Sequence, residues 1–151
     1  MVLFLDFDGV LHPEIPGREI FSQLPHLWDI LRACPEVRVV FSTSWREKFP
    51  FDELVDMAIS NGGEDLADRF IGITPVLPRG ENGRQQIREQ ECLAWLAENE
   101  GRWPIGQRPV RWLALDDIHV WFSVPCWNLY VIDSETGLTA EDVPRIIERL
   151  K

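Results

Sequence analysis

Cysteine is scarce in this 151-residue chain, and the three that occur form no pattern. Cys34, Cys92 and Cys126 have neither paired spacing nor the Cys/His spacing of a zinc site. We therefore expect free thiols and a cytoplasmic location. Long apolar runs are also missing, and the N-terminal run is interrupted at Asp6, so we expect neither a signal peptide nor a membrane partner.

Positive charge is scarce as well. The chain has 15 Lys and Arg against 25 Asp and Glu, which gives a formal net charge of −10. A charge of this sign repels a phosphate backbone, so nucleic acid is a disfavoured partner. It stays open as a partner because arginine far outnumbers lysine and local basic spots can form. The length and the 45% hydrophobic content indicate one folded domain over residues 1–151.

Apolar strand patterns alternate with helix patterns along the chain, which is typical of βαβ units. The alternation predicts an α/β fold, a three-layer Rossmann-like domain with a mainly parallel sheet. On the helix predicted for residues 85–98, we expect Ile87, Cys92, Leu93 and Leu96 to face inward. The predicted strands lie near residues 2–5, 37–41, 110–115 and 129–132, and a further extended segment is predicted at 71–77. The other predicted helices begin near Pro25, at Phe51 and after a capping box at 139–142.

Polar side chains follow three of these apolar strands. Asp6 and Asp8 end the first strand, Thr43 follows the second, and Asp116 and Asp117 end a later one. Packing does not require two acids and a glycine at the carboxyl end of a buried strand. Because that end is where open α/β sheets bind ligands, we expect these residues to meet in one crevice.

The acids suit a magnesium site. Mg²⁺ prefers oxygen ligands, and Asp6 with Asp116 or Asp117 supplies them. A carboxylate beside a metal-bound phosphate can act as a nucleophile and form an aspartyl-phosphate. A second acid, here Asp8, can protonate the leaving oxygen. The hydroxyl and N–H groups of residues 42–44 can hold phosphate oxygens.

A basic side chain near the start of a helix can neutralise the same phosphate, and Arg84 and Arg88 are both candidates for this role. The pattern as a whole resembles the haloacid dehalogenase (HAD) superfamily. Its first motif is matched by Leu5-Asp6-Phe7-Asp8-Gly9-Val10-Leu11. The resemblance implies that Asp6 is the nucleophile and a magnesium ligand. It implies that Asp8 is the general acid/base and also binds the metal through its backbone carbonyl.

The other superfamily motifs follow in order. Ser42-Thr43-Ser44 matches the second motif; we favour Thr43 as the motif residue, with Ser42 as the alternative. The third motif is matched by the segment that begins Arg88-Glu89-Gln90-Glu91, so Arg88 is preferred to Arg84. The fourth motif is Leu113-Ala114-Leu115-Asp116-Asp117, whose two acids are implied metal ligands.

The resemblance implies a Mg²⁺-dependent phosphatase with little or no cap domain. Asp8 argues against a dehalogenase, which lacks the second aspartate, and the segments between the motifs are too short for a large cap. The expected substrate is a phosphomonoester, preferably a small molecule. One alternative is a macromolecular end, either a nucleic acid terminus or a phosphoprotein. Another is a non-catalytic module that keeps the fold for binding or regulation.

Overall fold

A computed structural model describes residues 1–80, 85–101 and 111–151. Within these ranges the chain forms a five-stranded sheet in the order β3-β2-β1-β4-β5, and every strand pair is parallel. The predicted α/β class with a parallel sheet is therefore confirmed. The elements are β1 (Val2–Leu5), α1 (Leu24–Ala33), β2 (Arg38–Phe41), α2 (Phe51–Ile59), β3 (Phe70–Ile73), α3 (Ile87–Glu98), β4 (Trp112–Asp116), β5 (Leu129–Val131) and α4 (Asp142–Leu150).

The central strand β1 is buried on both faces, as expected for a parallel sheet covered by helices. Because successive strand residues point to opposite faces, Leu3 and Leu5 join one core cluster while Val2 and Phe4 join another. The first cluster contains the buried faces of α1, α2 and α4, and the second contains those of α3. The two clusters lie between the sheet and the helices on its two faces, so the domain has the three layers of a Rossmann-like fold.

One expectation about α3 is wrong. Leu93 is 47% exposed, and the buried face of the helix consists of Arg88, Glu91, Cys92 and Trp95. The apolar pattern misassigned the face because two of its four buried residues are charged. Arg88 and Glu91 can be buried there because they form an ion pair with each other.

The topology brings the carboxyl ends of β1 and β4 side by side. These strands are neighbours in the sheet, with Leu5 in register with Leu115. Strand order changes direction at β1, and such a switch point leaves a crevice at the carboxyl edge of the sheet. The segment between β1 and α1, residues 6–23, contains turns and isolated bridges rather than an inserted domain. No helix in the described part of the chain has the length and apolar character needed to cross a membrane.

Candidate active site

Three carboxylates meet at the ends of β1 and β4. The Asp6 backbone N–H donates to the Leu115 carbonyl at 3.1 Å, which continues the strand pairing into the two motifs. As a result, one carboxylate oxygen from each of Asp6, Asp116 and Asp117 lies within 4.8 Å of the other two. Gly9 lets the chain turn away here, since its φ is +70° and a Cβ would lie 2.5 Å from Asp117 Oδ2.

Crowding and burial disfavour ionisation of these three acids. Burial raises the pKa of Asp6, although Arg88, the Phe7 amide and the Thr43 hydroxyl oppose the rise. Burial and the nearby Asp6 charge raise the pKa of Asp116 well above its usual range, and they raise that of Asp117 to about 6. Like charges in a buried site favour binding of a proton or a cation.

The donor set fits Mg²⁺. All three side chains offer oxygen, which is the ligand that magnesium prefers. Asp116 Oδ1 accepts from the Ile118 N–H at 2.8 Å, whereas its buried Oδ2 has no hydrogen-bond partner among the described residues. The Arg88 guanidinium, whose Nε lies 3.5 Å from Oδ2, is one positive charge beside three carboxylates, so a further cation would be needed to neutralise them. Asp6, Asp116 and Asp117 would hold such an ion.

Asp8 lies apart from this group of acids. Its Oδ1 accepts from His12 Nε2 at 2.9 Å, and its Oδ2 accepts from the Trp45 indole N–H at 2.8 Å. Burial alone would raise the pKa of Asp8, but these hydrogen bonds outweigh it and the pKa is lowered. His12 is fully buried, so it supports Asp8 from behind rather than facing a substrate. Asp8 is also near a cation, with Arg18 Nη2 at 4.0 Å.

The Ser42–Ser44 turn directly follows β2. Thr43 is buried, its hydroxyl accepts from the Trp45 N–H at 3.3 Å, and the same hydroxyl lowers the pKa of Asp6. Ser42 is also buried, and its hydroxyl has no partner among the described residues. Ser44 is exposed. Of the three, Thr43 is the hydroxyl that acts on Asp6.

A buried guanidinium fixes this turn. Arg46 donates to the carbonyls of Ser42 and Thr43 at 3.2 and 2.7 Å, and to that of Thr74, at the end of β3, at 3.1 Å. It also forms an ion pair with Glu91 of α3 at 2.7 Å. One side chain therefore ties together the ends of two strands and the helix that carries Arg88.

Arg88 reaches the acids from α3. Its Nε lies 3.5 Å from Asp116 Oδ2, and its Nη1 donates to Glu91 at 3.2 Å. The guanidinium carbon lies 5.0 Å from the centre of the Trp121 ring, which holds it from another side. Arg88 is therefore a rigid positive charge next to the carboxylates. The alternative candidate, Arg84, is outside the described residues.

A cleft of about 860 Å³ opens beside these groups. Asp8 and Arg88 line it together with the exposed Ser44 and the half-buried Trp45. It lies between the turn that follows β2, the segment after β3 and the start of α3. A phosphoryl group fills only a small part of a volume that is typical of sites for larger ligands.

Several supporting residues were not predicted from the sequence. His12, Arg46 and Trp121 each hold a predicted site residue in place, a supporting role that their positions in the sequence did not indicate. Glu91 was within the segment matched to the third motif, but nothing indicated that it is buried between two arginines. The available signal was the separation of Arg88 and Glu91 by three residues, which places them on one helix face.

A parallel Rossmann-like sheet with aspartates at the carboxyl ends of neighbouring strands is the arrangement expected of a HAD-superfamily domain. Over residues 2–143 the chain matches the family described as the HAD domain in Swiss Army Knife RNA repair proteins, and it belongs to that family. Neither the curated proteins nor the solved structures gave a match to the chain.

Proposed function

We propose that this protein is a Mg²⁺-dependent phosphatase that hydrolyses a phosphomonoester through an aspartyl-phosphate on Asp6. The observation that carries the proposal is the meeting of Asp6, Asp116 and Asp117 within 4.8 Å, with Arg88 beside them. A bound Mg²⁺ would supply positive charge that offsets the repulsion between a carboxylate and a phosphate. The backbone carbonyl of Asp8 is a further proposed ligand.

The protein groups divide the reaction between them. An Asp6 oxygen attacks phosphorus and the ester P–O bond breaks, while Asp8 protonates the leaving oxygen; because its pKa is lowered in the free protein, Asp8 has to take up this proton before the step. Asp8 then takes a proton from water, whose oxygen attacks phosphorus and releases Asp6 and inorganic phosphate. Thr43 and Arg88 hold the phosphate oxygens, with Ser42 and Ser44 as further candidate contacts.

We favour a phosphorylated RNA end as the substrate. The sequence favoured a small molecule because of the net charge of −10. Two observations now support the macromolecular alternative: the RNA repair proteins named in the family description, and an open cleft larger than a phosphate requires. A small phosphomonoester fits the same chemistry and is the second candidate.

The test is hydrolysis of an aryl phosphate and of RNA oligonucleotides with a 3′- or 5′-phosphate, each in Mg²⁺ and in EDTA. We expect phosphate release in Mg²⁺ and none in EDTA. Folded protein that releases no phosphate from any substrate, yet gains thermal stability in Mg²⁺, would overturn the proposal in favour of a non-catalytic binding module.

Trp45→Phe tests the role of Asp8. The variant removes the N–H that Asp8 Oδ2 accepts but keeps an aromatic ring against Phe7 and Phe21. A misplaced general acid matters most when the leaving group is basic, so we expect kcat to fall about tenfold for an alkyl phosphate and at most about threefold for a nitrophenyl phosphate. The matched control is Trp127→Phe at an indole that is 83% exposed. Equal losses on both substrates would contradict this role.

A further inference from the structure

The cleft beside the acids differs in charge from the rest of the molecule. Five cationic and three anionic side chains line it, a net of +2, whereas the whole chain carries −10. When ionised, the three carboxylates next to the cleft turn this excess into a net of −1, and a bound divalent cation would bring the net to +1. The cationic residues in the lining are Arg18, Arg46, Lys48, Arg79 and Arg88.

Two of these cations are not used by the protein itself. Lys48 and Arg79 are exposed, and neither side chain forms an ion pair or hydrogen bond with any residue that the structure describes. Arginines elsewhere are engaged: Arg32 pairs with Asp65, and Arg69 donates to the carbonyls of Leu31, Cys34 and Val37. The unengaged positive charges of the cleft therefore lie at Lys48 and Arg79.

The cleft also contains aromatic surface. Phe49 packs against Trp45 with ring centres 5.7 Å apart, and Phe49 and Trp121 both line the cleft in half-buried positions. Cations that can follow a phosphate backbone, combined with aromatic rings, are the usual elements of sites for single-stranded nucleic acid. A small phosphomonoester would not need either.

We propose that Lys48 and Arg79 form a second anion subsite for the internal phosphodiester groups of a single RNA strand. The inference rests on the proposed function, in which the terminal phosphate of the strand is bound at Asp6. Arg18 contributes less, because Glu14 and Asp8 already lie 3.5 and 4.0 Å from its guanidinium. The subsite reconciles an acidic protein with a polyanionic substrate, because binding is confined to one basic cleft.

The test compares kcat/KM for a short phosphate-ended RNA oligonucleotide with kcat/KM for an aryl phosphate. We expect the double variant Lys48→Ala/Arg79→Ala to lower the ratio of the two values about tenfold. For single strands, the logarithm of affinity falls with the logarithm of salt concentration at a slope of about 0.7 per phosphate contact. Two contacts in the unchanged protein therefore predict that kcat/KM for the oligonucleotide falls about sevenfold between 50 and 200 mM salt. The double variant should lose most of this salt dependence.

Lys151→Ala is the matched control, because Lys48 and Lys151 are the two lysines of the chain and Lys151 is not part of the cleft lining. An unchanged substrate ratio in the double variant would overturn the subsite, and so would faster hydrolysis of an acidic phosphopeptide than of RNA. If the proposed function itself were wrong, the aryl phosphate would also stay intact in Mg²⁺, and this result distinguishes it from failure of the subsite alone.

Discussion

Asp6→Asn is expected to abolish phosphate release, with a loss of about 10³-fold or more in kcat. A carboxamide is a poor nucleophile toward phosphorus, and the substitution also removes one of the three anionic ligands proposed for Mg²⁺. The fold should tolerate it, because the Asn carbonyl oxygen can still accept the hydrogen bond that Asp6 Oδ1 takes from the Phe7 N–H at 2.8 Å.

The thermal midpoint of Asp6→Asn in EDTA separates chemistry from folding. Burial and neighbouring carboxylates make the Asp6 charge costly, so removing it should leave the midpoint unchanged or raise it. Asp68→Asn is the control: Asp68 is exposed and precedes β3, at the sheet edge opposite the site. Phosphate release by Asp6→Asn above about a tenth of the unchanged protein's rate would exclude Asp6 as the nucleophile.

The strand-end residues of this site could be predicted from the sequence better than the residues that hold them in place. Asp6, Thr43 and Asp116 follow apolar strands, and the edge rule for parallel sheets is enough to bring such residues together. Arg46 could not be recognised in the same way, because an arginine after a strand is usually exposed. Its burial depends on carbonyls at the ends of β2 and β3, whose neighbourhood is set by tertiary structure.

The local charge of the cleft could not be predicted from the sequence either. A net charge is a sum over the chain, so −10 gave no sign that cations would gather beside the acids. Lys48 and Arg79 are 31 residues apart in sequence and line the same cleft because β2 and β3, which they follow, are neighbouring parallel strands. The location of each site acid could be predicted from local sequence, whereas the potential around the site required the strand order.

The stability of the protein should depend on pH and Mg²⁺ together. The pKa of Asp117 is raised from 3.8 to about 6, and those of Asp6 and Asp116 are raised as well. The folded state therefore holds protons that the unfolded state has lost, so stability in EDTA should fall as pH rises through the range from 3.8 to about 6. We expect a lower thermal midpoint in EDTA at neutral pH than at the acidic end of this range.

Mg²⁺ should reverse this loss where the carboxylates are ionised. At about 100 times its Kd, a ligand that binds only the folded state adds about 2.7 kcal/mol, or about 5–10 °C in the midpoint of a chain this long. The gain should shrink toward the acidic end, where protons compete for the same oxygens. NaCl at matched ionic strength controls for screening of the net negative charge. Asp117→Asn should weaken both the pH dependence and the Mg²⁺ effect, and an undiminished Mg²⁺ gain in that variant would mean that the ion binds elsewhere.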